Sequence, residues 1–141
     1  MPRPLRILVP LLLGVAAVVL LCSAGLSMPY SRTQRAVADQ ELVAVATSQI
    51  GYDSDRARQI CHRVLRMRGA NHHDAFLLLR DCGDLSSVPY LIQALRWHPV
   101  FPDGGMECTT AHGVQALKAI THEDFGFDLN AWEQWSKRHS P

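Results

Sequence analysis

Residues 7–28, ILVPLLLGVAAVVLLCSAGLSM, carry no charged side chain, and the charge-free stretch runs from Arg6 to Arg32. A bilayer's hydrocarbon core is crossed by roughly 20 apolar residues, so this run is long enough to span one and leaves the rest of the chain to build any folded core. Two readings fit residues 1–28. A basic start (Arg3, Arg6), an apolar run and the small residues Ser23, Ala24 and Gly25 describe a cleavable signal peptide, but the run exceeds the usual apolar region of about 7–15 residues, which favours an uncleaved signal anchor. A lipoprotein is disfavoured because Leu21 stands before Cys22 where a small residue is required. Arg3 and Arg6 are opposed by Arg32 and Arg35 across the run. The short N-terminal tail favours a single pass with that tail inside and the domain outside the cytoplasm, or export to the periplasm.

From residue 29 onward there are 12 Lys and Arg against 13 Asp and Glu, so net charge gives no ground for nucleic-acid binding. The distribution is uneven. Residues 31–70 hold seven Arg against four acids, and residues 71–128 hold three basic residues against eight acids.

Residues 29–35, PYSRTQR, read as a polar tether, and residues 36–141 as a helical domain. Ala38, Leu42, Val45 and Ala46 have helical spacing. Ala57, Ile60, Cys61, Val64 and Leu65 form a clear amphipathic stripe, with Asp53 or Ser54 as cap and Gly69 as stop. Asn71 caps the next segment, whose stripe is Ala75, Leu78, Leu79 and Cys82, ended by Gly83. Ser86 or Ser87 then caps a helix facing inward through Val88, Leu91, Ile92 and Leu95, with Pro89 tolerated in its first turn. The stretch HPVFPDGGME is a loop. CTTAHGVQALKAI resumes helical spacing, weakened slightly by Gly113. The expected class is all-α, as six helices in three hairpins joined by short connections.

GDLSSVPYLIQALRW (residues 83–97) resembles the acidic turn and second helix of a HEAT-type repeat, and ALKAITHEDFGFDLNAWEQW (residues 116–135) resembles the terminal segment of bacterial HEAT-repeat proteins. The resemblance covers residues 71–138. It implies a short HEAT-like, armadillo-like α-solenoid and protein binding, with no shared catalytic residues. His122 stands where the family pattern has glycine. In residues 121–135, Gly126 allows a bend, Asp128 (or Asn130 with Glu133) caps the last helix, and Trp132 and Trp135 share a face. Such a helix closes the open hydrophobic end of a stack, so this acid- and tryptophan-rich stretch is expected to be a structural cap.

Candidate chemistry is sparse. Cys108 and His112, at i and i+4, share a helical face and offer two zinc ligand types, with His122 or Glu123 as a possible third. No second spaced pair supports them, so no metal and no cofactor is expected, and enzymatic activity is not expected either. His72, His73 and Asp74 sit at a helix start, where polar residues belong. Cys61, Cys82 and Cys108 are expected to be free thiols. Cys82 ends its helix while Cys108 begins the equivalent helix of the next hairpin, too far apart to bridge; Cys61 and Cys82 face the core from antiparallel neighbours, offset by about a turn, and are the one credible pair. Arg56, Arg58, Arg63, Arg66 and Arg68 decorate one helix. Of these, Arg56, Arg63 and Arg66 are candidates for contact with an anionic membrane surface or an acidic partner. The expected function is an envelope-associated protein-interaction or scaffolding module with an unidentified protein partner. A metal-dependent or otherwise catalytic helical domain using Cys108 and His112 is one alternative. A chromophore-lyase-like accessory, resting on fold analogy alone, is another.

Overall fold

Ser31 opens the first helix by a reciprocal cap. The Gln34 N–H donates to the Ser31 hydroxyl, and the Ser31 N–H donates to the Gln34 side chain. The computed structural model describes residues 30–48, 53–100 and 107–139, and the candidate membrane segment lies outside them. Helix α1 runs Arg32–Ala46. It therefore begins inside the stretch read as a tether, because the Ser-x-x-Gln cap acts before the apolar stripe starts.

Helix α2 (Ser54–Leu65) is capped by Asp53, whose carboxylate accepts from the N–H groups of Asp55 and Arg56. Helix α3 (His72–Cys82) is capped by Asn71. A 3-10 turn, Leu85–Ser87, precedes helix α4 (Val88–Leu95), which has Pro89 in its first turn. Here the cap differs from expectation. Asp84 caps the 3-10 turn by accepting from the Ser86 N–H, while the buried Ser87 hydroxyl turns to His62 Nε2 at 2.8 Å. Helix α5 spans Cys108–Thr121 and helix α6 spans Leu129–His139. Among the described residues there is no β-strand, and no helix is long and apolar enough to cross a membrane.

The helices contact neighbours one and two places away along the chain: α1 with α2, α2 with α3, α4 with α5, and also α1 with α3, α3 with α5, α2 with α4 and α4 with α6. Odd-numbered helices thus lie side by side, and even-numbered ones likewise. The buried stripes of α2 to α5 meet in one core that includes Phe76, Leu79, Leu91 and Leu117. Helices α3 and α5 run in the same direction. Near their starts His73 meets Cys108, midway a Cβ on Gly113 would lie 3.0 Å from Phe76, and at their ends a Cβ on Gly83 would lie 2.5 Å from Ile120.

Three histidines are held by the packing. His62 stacks on Tyr90 at 4.2 Å between centroids. His72 is buried, its Nε2–H donating to the Met67 carbonyl at 2.9 Å, which leaves Nδ1 to accept from His98 Nε2 at 2.8 Å. Burial lowers the pKa of each of the three below the ordinary 6.5. The unfolded chain therefore binds protons before the folded one as pH falls. The stability these groups contribute is present in full above about pH 6.5 and is lost as pH drops through the folded values. The thermal midpoint is expected to be level from pH 8 to 7 and to fall between about pH 6.5 and 5; a level midpoint down to pH 5 would contradict this.

Candidate functional site

The first turn of α5 lies beside the first turn of α3, and three side chains converge there. Cys108 Sγ is 3.2 Å from His112 Nε2 on its own helix and 3.4 Å from His73 Nε2 on α3. These three donor atoms all lie within 4.8 Å of one another. The two imidazoles meet edge to face with centroids 5.0 Å apart. Cys108 is exposed and both histidines are half-buried, so the cluster opens to solvent on its cysteine side.

The outer nitrogens of both rings are also engaged. His73 Nδ1 is 2.9 Å from Asp74 Oδ1, and His112 Nδ1 is 3.3 Å from Gln115 Oε1. A hydrogen bond from His73 holds the Asp74 carboxyl below its usual value, so Asp74 is an anionic acceptor. Asp74 is itself fixed by the Asn71 amide at 2.7 Å. With Nδ1–H donating outward in each ring, both Nε2 lone pairs face the thiol.

Sequence spacing paired Cys108 with His112, and the structure keeps them together. It does not bring in His122, which caps the opposite end of α5, about 20 Å away by helix rise. His122 adopts the left-handed conformation (φ 61°) that glycine would occupy more easily. Glu123 is exposed at that same end. The third member is instead His73, distant in sequence. Its signal was the register already used for the cysteines: if Cys82 ends α3 and Cys108 begins its parallel neighbour, the residues that begin α3 lie beside Cys108. The other two thiols differ from Cys108. Cys61 is fully buried, and its thiol is pushed up to about 12 by burial and then by Cys82. Cys82 is also raised, chiefly by burial. Both are free, and their burial disfavours the thiolate that reaction requires.

The arginine helix is partly neutralised from within. Arg58 pairs with Asp55 at 2.9 Å and Asp84 at 3.0 Å and donates to the Cys82 carbonyl. Arg63 pairs with Glu41 of α1. Arg66 donates to the Tyr90 hydroxyl at 2.6 Å, with its guanidinium 4.8 Å from the Tyr90 ring centroid. The acids that pair with Arg58 and Arg63 lie on the same helix, on the cap of the 3-10 turn and on α1, whereas Arg66 meets only the neutral Tyr90 side chain among the contacts described. Arg56 and Arg63 line a shallow groove with Glu41.

At the other end, Gly126 (φ 52°) makes the bend and Asp128 accepts from the Ala131 N–H, capping α6. Trp132 is fully buried, donates from Nε1 to the Gly126 carbonyl at 2.9 Å, and packs edge to face on Phe125. Trp135 is buried and stacks on His139. No family model, no curated protein and no solved structure matches the chain.

Proposed function

We propose that the chain is a short HEAT-like α-solenoid serving as a protein-interaction module, tethered to the cell envelope by residues 7–28 with its domain outside the cytoplasm. Contacts between helices one and two places apart support the architecture, since each hairpin of a solenoid stacks on the next. The address rests on the length and apolar character of residues 7–28.

The observation that carries the interaction reading is a groove of about 470 Å³ between α1 and the end of α2, lined by Tyr30, Val37, Ala38 and Met67 with Arg63 and Arg66 at its side. Tyr30 and Val37 are 40% and 50% exposed, although most large apolar side chains of the described helices are buried. Apolar surface flanked by guanidinium groups suits an apolar partner segment carrying carboxylates.

The test places a photo-crosslinking residue at position 37 of the full chain in its own membranes. One protein adduct of defined mass, diminished by Arg66→Glu in a variant with an unchanged helical spectrum, is the expected result. Adducts to lipid alone, or no adduct, would overturn the reading.

A further inference from the structure

We infer that His73, Cys108 and His112 form a zinc-binding site. This goes beyond the interaction reading and does not depend on it. A tetrahedral zinc ion with bonds of about 2.0–2.1 Å to imidazole and about 2.3 Å to thiolate holds its sulfur and nitrogen ligands about 3.5 Å apart. The two sulfur–nitrogen separations here are 3.2 and 3.4 Å, so the sulfur already stands at ligand distance from both imidazoles, and coordination draws the two nitrogens, which lie within 4.8 Å of each other, to about 3.4 Å.

The hydrogen-bond inventory points the same way. Two Nε2 lone pairs face one sulfur, and a thiol has a single proton, which satisfies one imidazole and leaves the other lone pair directed at sulfur. A cation satisfies all three atoms together. The outer shell is arranged as metal sites require, with each Nδ1–H donated to a side-chain oxygen, Asp74 for His73 and Gln115 for His112. Coordination converts the Cys108 thiol to a thiolate and releases its proton to solvent, so affinity rises with pH. Thiolate with imidazole selects zinc over magnesium or calcium, which prefer oxygen. Three protein ligands leave a fourth position, on the exposed Cys108 side, for water.

Gly113 makes the approach of the two helices possible. It follows His112 directly and lies against Leu95 and Phe76 with no room for a Cβ, which sets α5 close enough to α3 for His73 to reach Cys108.

Full-length protein in detergent, stripped with chelator and kept reduced, is titrated with Zn²⁺ and with Co²⁺ as a spectroscopic probe. The expected result is about one ion per chain, with a thiolate-to-cobalt charge-transfer band and the visible bands of a tetrahedral ion. Zn²⁺ should also slow alkylation of Cys108 by about tenfold or more, followed by peptide mapping. Cys108→Ser abolishes the charge-transfer band, and His73→Ala and His112→Ala each weaken binding strongly. Asp74→Ala, which removes only a positioning residue, weakens it about 10- to 100-fold. His122→Gly leaves it unchanged. Because Cys108 is exposed, Cys108→Ser is expected to keep the helical spectrum and melting of the parent protein. Absence of binding at micromolar ion, or a cobalt spectrum that survives His73→Ala, would overturn the assignment.

Discussion

Trp132→Ala is expected to lower the free energy of unfolding by about 3–5 kcal/mol, the range for truncating a large buried aromatic. The indole is fully buried in the core, meets Phe125 edge to face with centroids 4.8 Å apart and donates a hydrogen bond to the Gly126 carbonyl. Truncation leaves a cavity, and it leaves the Gly126 carbonyl without its indole donor. Trp135, 7% exposed and stacked on His139 near the end of α6, should cost less when truncated. Urea unfolding measures both variants. A Trp132→Ala protein within about 0.5 kcal/mol of the parent would show that residues 121–135 do not close the core.

Gly113→Ala is expected to destabilise by about 1–3 kcal/mol, the cost of overpacking, although glycine in an exposed helix interior is worse than alanine by about 1 kcal/mol. The two effects oppose each other, and packing decides. A Cβ at position 113 would lie 2.6 Å from Leu95 Cδ2 and 3.0 Å from Phe76 Cε2. Leu95 and Phe76 are both buried, so neither can turn outward. Relief requires α5 to move from α4, which carries Leu95, and from α3, which carries Phe76, and the movement from α3 draws His112 and Cys108 away from His73. Lowered stability together with weakened zinc affinity is the expected pair of results. A stabilised Gly113→Ala protein would mean that the contact between α3 and α5 is looser than described.

The helices were legible where the signals are local. Ile60, Cys61, Val64 and Leu65 fall at helical spacing and are all buried. Asn71 and Asp128 cap as their positions suggest, and Gly126 makes the bend its place before α6 requires. The start of α1 was equally visible in Ser31 and Gln34, but the polar stretch around them reads as a tether. What sequence spacing missed depends on register between helices. Arg58 finds Asp84 and Arg63 finds Glu41, acids distant in sequence that only packing brings near. For the cluster, proximity along the chain favoured His122, whereas a helix of fourteen residues (Cys108–Thr121) separates it from Cys108. Parallel packing of α3 and α5 supplies His73 instead, and the two outer partners follow from helix position, Asp74 next to His73 and Gln115 about one turn beyond His112.

X-ray absorption at the zinc edge on the zinc-loaded full-length protein tests the cluster most directly. The expected first shell is one sulfur at about 2.3 Å with two imidazole nitrogens at about 2.0–2.1 Å and one further light atom. In Cys108→Ser the sulfur shell should vanish, and in His73→Ala one imidazole should be lost. A shell of nitrogen and oxygen alone in the parent protein, or an unchanged imidazole count in His73→Ala, would contradict a zinc site built where α3 and α5 begin.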